Sequence, residues 1–278
     1  MDQLLIDDAS RALEVRNLVR LREGGQKYVA RCDTADGEVV VLKVVALQGV
    51  GNADEQLERA RREVGLLADM DHPNIVRIRR PLTSVRNPPA AVAWLEEFLD
   101  GDDLTDRLGV PWDWGQVLRL GLDVARGLEV LHDRSVVHRD LSPNNIRCLA
   151  QGGHVIMDPG YARHLSRSTL TVFGQPGTPG FLSPEHLSQS GPMPASDIYC
   201  LGVLMFLALT GDLPHPLTAD VAGYQVALRT QAAPQIAALR QDLTLDAASI
   251  VDRCLQTQPA RRFLDGRALR VALEGLAR

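Results

Sequence analysis

The chain has 278 residues, 45% of them hydrophobic, with 30 basic and 35 acidic side chains and a formal net charge of −5, and is long enough to bury one or two cores. The two signs are interspersed, so no strong field draws nucleic acid or an anionic membrane, and neither is expected as a partner. The four cysteines, Cys32, Cys148, Cys200 and Cys254, lack paired metal spacing and read as reduced packing residues, in keeping with a reducing cytoplasm.

The start, MDQLLIDDASR, is acidic and lacks the basic region and apolar core of a secretory signal, so no export is expected. Residues from about Leu18 to Val45 alternate as strands do, with a turn signal at Asp36-Gly37. Ala53 to Met70 has helical spacing, and Val76 to Leu95 holds two further short strands around Asn87-Pro88-Pro89. From Leu104 onward the pattern is mainly helical, including Trp114 to His132, Asp197 to Leu209, Asp246 to Leu255 and Asp265 to Leu276. The longest apolar stretch, Ile198 to Leu209, contains Gly202 and falls short of the roughly 20 apolar residues of a membrane helix, which predicts a buried core helix. A β-rich first part and a mainly helical second part, without repeats, predict an α+β fold.

The stretch VVHRDLSPNN, from Val136 to Asn145, carries the most chemistry. An Asp and an Asn at 140 and 145, after a His-Arg pair, are the groups used to handle a hydroxyl nucleophile beside a metal-bound triphosphate. The transition state of phosphoryl transfer is loose and rich in charge, so a protein contributes by aligning the attacking oxygen and placing cations around the phosphates. Asp140 can orient the nucleophile and accept its proton, and Asn145 offers a neutral oxygen to Mg2+. Asp158, in VIMDPG, supplies the second oxygen ligand. The other reading of Asp140 and Asn145 is an ordinary loop with local turn bonds.

This run resembles the catalytic loop of the protein kinase family, and the resemblance covers most of the chain. It implies a bilobal kinase-like fold over residues 1–278, with a small β-rich lobe with one main helix at 1–99 and a larger, mainly helical lobe at 100–278. Lys43 in EVVVLKVV resembles the lysine that pairs with the α- and β-phosphates. Glu63, followed by His72-Pro73-Asn74, resembles the helical glutamate that holds it. Gly24, Gly25 and Val29 stand where the family covers the phosphates, Val41 above the adenine, and Glu97 and Leu99 in the hinge that runs to Gly101. Asp103 is placed like the ribose-binding carboxylate, with a helix N-cap as the equal alternative. Asp197 resembles the aspartate that holds the catalytic-loop backbone, and an N-cap role would also explain it. Gly177 to Glu185 resembles the segment that positions a peptide substrate, with Thr178 favouring Ser or Thr acceptors and Glu185 pairing with Arg262. The resemblance therefore implies a cytoplasmic serine/threonine protein kinase that uses ATP with Mg2+ or Mn2+ and acts on proteins, itself included. Its catalytic set is Lys43, Glu63, Asp140, Asn145 and Asp158, the last two being the metal ligands.

Several residues depart from the family pattern. Arg22 and Lys27 replace the first and third glycines of the phosphate-covering loop, where they read as solvated surface charges or as cations reaching the phosphates. Ser142 replaces a lysine near the transferred group, Pro159 an aromatic after Asp158, and Glu96 falls at the gatekeeper position. Arg147 lies where an apolar residue closes the adenine pocket, and is expected either to turn out or to pair with an acid such as Glu96. These departures keep open a nucleotide-binding pseudokinase that acts as a scaffold, and, further off, a small-molecule phosphotransferase. Ser166, Ser168, Thr169 and Thr171 lie where the family carries its activation loop, so a phosphate there, received by Arg139, is expected to raise activity.

Overall fold

The structure is a computed structural model that describes residues 1–22, 27–47, 53–86, 90–159, 163–164, 180–187, 191, 193–217 and 221–277. It divides into two units, Met1–Asp100 and Gly101–Arg278.

The first unit opens on α1 (Gln3–Ala12), whose N-cap Asp2 accepts from the Leu4 amide at 3.0 Å. There follow β1 (Val15–Arg22), β2 (Lys27–Thr34), β3 (Val39–Ala46), α2 (Ala53–Leu67), β4 (Ile78–Val85) and β5 (Ala91–Glu97). The strands form a five-stranded antiparallel sheet in the order β1-β2-β3-β5-β4. At the turn between β2 and β3, Gly37 takes a φ of 86°, which glycine adopts without strain.

Side chains alternate along a strand, and here both faces are covered. Leu5 and Ala9 of α1 pack with Val40, Leu42 and Val44 of β3 and with Ala91, Ala93 and Leu95 of β5. On the opposite face Ala60 and Val64 of α2 pack with Val45, Val92 and Trp94. Two covered faces explain why β3 reads VVVLKVVA, almost continuously apolar, and they place its one charge, Lys43, on the face toward α2. The sequence reading took α1 only for an acidic start. Its apolar stripe is just Leu5, Ile6 and Ala9, and its helicity depends on the sheet those residues cover.

The second unit contains β6 (Gly101–Asp103), α3 (Leu104–Arg107), α4 (Trp114–Asp133), β7 (Val136–Val137), β8 (Ile146–Leu149), β9 (His154–Ile156), β10 (Arg163–His164), α5 (Pro194–Thr210), α6 (Val221–Thr230), α7 (Ile236–Leu239), α8 (Leu245–Cys254) and α9 (Gly266–Leu276). Its small sheets run β6-β8-β9 and β7-β10. Gly101 opens β6 at φ 144°, and a Cβ there would lie 1.9 Å from the Cys148 carbonyl oxygen, so only glycine fits.

Helix α4 begins in a capping box of Asp113 and Gln116. Helix α5 carries apolar residues all round, among them the buried Leu201, Leu204, Met205 and Phe206, and packs against α4, α8 and α9 as the core of the unit. Pro194 starts it and Gly211, at φ 81°, ends it. All four cysteines are free and buried, and burial pushes the Cys32 and Cys148 thiols up to about 11, which keeps them protonated packing groups. Among the described residues no helix is long and apolar enough to cross a membrane.

Candidate active site

Strand register assembles the charged group of the first unit. Lys43 on β3 lies opposite Val29 on β2 and Trp94 on β5, Val41 opposite Arg31 and Glu96, and Val45 opposite Lys27 and Val92. Paired residues share a face. Lys27, Lys43, Trp94 and Glu96 therefore project on the side of the sheet that α2 covers, where the α2 stripe of Ala60 and Val64 also presents Glu63.

The Lys43 ammonium lies 3.2 Å from Glu63 Oε1 and 2.9 Å from Glu96 Oε1. Lys27 Nζ takes the other Glu63 oxygen at 2.7 Å, and Trp94 Nε1 donates to Glu96 Oε1 at 2.9 Å. Both ammonium groups lie over the Trp94 ring, 5.7 and 5.9 Å from its centre. Glu63 is 0% and Glu96 3% exposed, so each carboxylate depends on these partners. Lys27, expected as a solvated charge or a phosphate contact, is instead turned in to Glu63. Val29 and Val41 are half-buried on the same face, while Gly24 and Gly25 lie outside the described residues.

In the second unit the loop after β7 is pinned from α5. Asp197, wholly buried, accepts the His138 amide at 2.8 Å, the Arg139 amide at 3.0 Å and His132 Nε2 at 3.1 Å. The cap of α5 is Met193, so the N-cap alternative for Asp197 is corrected: the residue sits inside the first turn and its carboxylate serves the loop. The Gly266 amide donates to His132 Nδ1 at 3.0 Å, which puts the imidazole proton on Nε2, facing Asp197. Burial alone would raise the Asp197 pKa; the His132 hydrogen bond and the backbone donors outweigh it and hold the carboxyl below its ordinary 3.8. These bonds also hold Arg139 at φ 70°, a backbone state disfavoured for a side chain of that size.

Asp140 and Asn145 are joined by hydrogen bonds, and Asp158 follows a residue whose amide is bonded to Asn145. Asn145 Nδ2 donates to the Asp140 carbonyl at 2.8 Å and to Asp140 Oδ2 at 3.1 Å. Both partners are acceptors, so the amide nitrogen must face them, leaving Oδ1 as the acceptor end of Asn145. The Met157 amide donates to the Asn145 carbonyl at 2.8 Å, which sets the next residue, Asp158, alongside. His138 Nε2 donates to the Met157 carbonyl at 3.1 Å while its Nδ1 accepts the Asp140 amide at 3.3 Å, tying both ends of the group to one imidazole. Asp158 stands at φ 56°, which Asp tolerates better than most residues. Asn145 Oδ1 and the Asp158 carboxylate are hard oxygen donors of the kind Mg2+ prefers, so the residues present fit a divalent ion.

The remaining expected positions are more varied. Arg147 pairs with an acid, Asp103, in register across β6 and β8, Nη1 to Oδ1 at 3.1 Å. Asp103 occupies the N-cap position of α3 without a side-chain cap bond, its carboxylate being drawn to Arg147. Glu97 ends β5 and accepts the Arg77 amide at 2.9 Å, and Leu99 follows, half-buried. The Ser142 hydroxyl is buried with no hydrogen-bond partner among the described residues, and Pro159 is buried. Ser166, Ser168, Thr169, Thr171 and Thr178 lie outside the described residues.

Glu185 and Arg262 form a buried bidentate pair at 2.7 and 2.9 Å. The same guanidinium reaches the Ala195, Gln256 and Thr257 carbonyls at 2.8, 2.6 and 3.0 Å and stacks 4.7 Å from the Tyr199 ring centre. Burial would raise the Glu185 carboxyl, and Arg262 outweighs it, holding the group below its ordinary 4.5.

The family model described as protein kinase domain matches residues 16–270. The serine/threonine-protein kinase PknK of Mycobacterium tuberculosis is 30% identical over 247 residues, 88% of this chain and 22% of that protein. The probable serine/threonine-protein kinase PknB of Lactococcus lactis is 27% identical over 84% of this chain and 37% of its own length, and the mouse serine/threonine-protein kinase Nek5 is 29% identical over 86% and 36%. The alignments thus span between 22% and 37% of these relatives.

Proposed function

The chain belongs to the protein kinase domain family, and on that premise we propose that it is an ATP-dependent serine/threonine protein kinase, with residues 1–278 working as one catalytic domain. The observation that carries this reading is the hydrogen-bonded pair of Asp140 and Asn145, with the Met157 amide bonded to the Asn145 carbonyl next to Asp158 and the loop clamped by Asp197. Asp140 takes the proton of a substrate hydroxyl as its oxygen bonds to the γ-phosphorus. The bond from that phosphorus to the bridging oxygen breaks, and ADP leaves. Asn145 fixes one oxygen of the Asp140 carboxylate and so sets its direction. Asn145 Oδ1 and Asp158 are the residues to hold Mg2+ or Mn2+, which when bound neutralises phosphate charge. Lys43, steered by Glu63, offers its charge to the α- and β-phosphates.

Val29, Val41, Glu97, Leu99 and Asp103 belong to the nucleotide side of this proposal, with Gly24 and Gly25. The acceptor is a Ser or Thr of a protein, in line with Thr178 and with the relatives' names. Free, buried thiols fit a cytoplasmic setting.

Incubation of the chain with labelled ATP, Mg2+ and generic protein substrates tests the reading, and label on Ser or Thr is the expected result. No transfer with either Mg2+ or Mn2+ would favour the scaffold. Among the described residues no group of three His, Cys, Asp or Glu side chains could hold a metal ion. Chelation is therefore expected to stop transfer and leave the thermal transition where it was; a transition lost on chelation would reveal a structural ion.

A further inference from the structure

The charge group on the α2 face has more members than phosphate anchoring needs. A lysine steered by one glutamate requires Lys43 and Glu63. Here the lysine carries a second carboxylate, Glu96 at 2.9 Å, and the glutamate a second ammonium, Lys27 at 2.7 Å. The two additions are of opposite sign, one carboxylate and one ammonium. Glu96 is anchored independently by Trp94 Nε1 at 2.9 Å, so its carboxylate stays fixed beside Nζ when Lys43 changes partners.

We propose that Glu96 and Lys27 are a specificity-determining pair of positioning residues: Glu96 competes with nucleotide phosphate for the charge of Lys43, and Lys27 keeps Glu63 neutralised so that this competition stays balanced. The inference rests on the kinase reading, which makes Lys43 the phosphate anchor. Its physical basis is short. A carboxylate 2.9 Å from the ammonium, in a site shielded from water, repels an incoming polyphosphate and shares the cation it seeks. Lys27 acts the other way, because without it Glu63 would draw more strongly on the charge of Lys43. The pair thereby sets how strongly the site discriminates a nucleoside triphosphate from a bare nucleoside.

The readout is the ratio of ATP affinity to adenosine affinity, measured by calorimetry with Mg2+ on the full chain. Adenosine has no phosphate, so any change in packing around the base moves both ligands and leaves the ratio unchanged. Glu96→Gln keeps the shape and an acceptor for Trp94 Nε1 while removing the charge. It is expected to raise the ratio roughly tenfold, a modest reading of one unit charge at short range in a desolvated site. Lys27→Met is expected to lower the ratio by roughly as much, Lys27→Arg to restore it, and the double variant Lys27→Met/Glu96→Gln, again one ammonium against one carboxylate, to return within about threefold of the parent. If Glu96→Gln fails to fold, Glu96→Met gives the same comparison. A ratio unchanged or lowered by removal of the Glu96 charge, in a parent that binds ATP, overturns this inference and leaves the kinase reading standing. A folded parent that binds no nucleotide overturns both.

Discussion

On the proposed assignment, Asp140→Asn is expected to lower the rate of phosphoryl transfer by about a thousandfold, the middle of the range for a positioned general base, and to leave nucleotide affinity within about threefold of the parent. The asymmetry follows from what the residue touches. An amide in place of the carboxylate can still accept the Asn145 hydrogen bond through its oxygen, so the loop that Asp197 holds at His138 and Arg139 keeps its shape. What disappears is the proton acceptor, which matters while the hydroxyl is attacking and not while ATP sits in its site. Single-turnover transfer with labelled ATP, beside calorimetric binding, separates the two effects. Transfer at the parent rate would remove Asp140 from its role. Lost binding with retained folding would make it a ligand residue.

The legible and illegible parts of this chain divide along a physical line. Spacing within one segment was enough to single out Asp140 with Asn145, because a short loop leaves their side chains little freedom to part. The Lys43 contact with Glu63 and the Glu185 contact with Arg262 join distant segments, and the family resemblance supplied them; the coordinates place the partners at 3.2 and 2.7 Å. Contacts outside the resemblance are not legible. Counted along a glycine loop, Lys27 reads as a solvated surface charge or a phosphate contact, whereas its direction is set by strand pairing with Val45, which turns it to the same face as Lys43. The alternation of β2 and β3 was visible in the sequence, and a register guess built on it would have found this pair.

Arg147 shows the same limit. Its partner is the residue in register on the neighbouring strand, Asp103, and a three-residue strand that opens on Gly101 leaves almost no periodic signal. Asp197 was assigned to the loop backbone correctly in direction, but its second partner, His132, comes from the far end of a long helix, and no spacing rule connects the two.

Arg262→Ala destabilises the second unit by about 3–5 kcal/mol, the cost of leaving a buried carboxylate without its cation. The residue is 3% exposed and bonds Glu185 and three backbone carbonyls, so its loss takes a donor from all of them at once and leaves Glu185 with the neutral Ser196 hydroxyl in place of a cation. For a unit of this size, that is a fall of about 6–20 °C in the thermal midpoint. Arg262→Lys recovers only part of it, because one ammonium cannot reproduce a planar fork that also stacks on Tyr199. The pair carries a pH signature as well. Arg262 depresses the folded-state pKa of Glu185 below the ordinary 4.5, so the unfolded chain binds this proton first as pH falls. The stabilisation is therefore complete above about pH 5 and is lost as pH drops from the ordinary carboxylate range through the folded pKa. Glu185→Gln removes the titrating group, so its stability falls less steeply with pH in that window than the parent's, although it starts lower. Urea unfolding of parent and variants between neutral pH and the acid range reads both effects. Parallel acid slopes for parent and Glu185→Gln would show that the pair does not set the acid limit of the fold, and an Arg262→Ala midpoint within about 2 °C of the parent would show that the buried pair is not what holds these segments together.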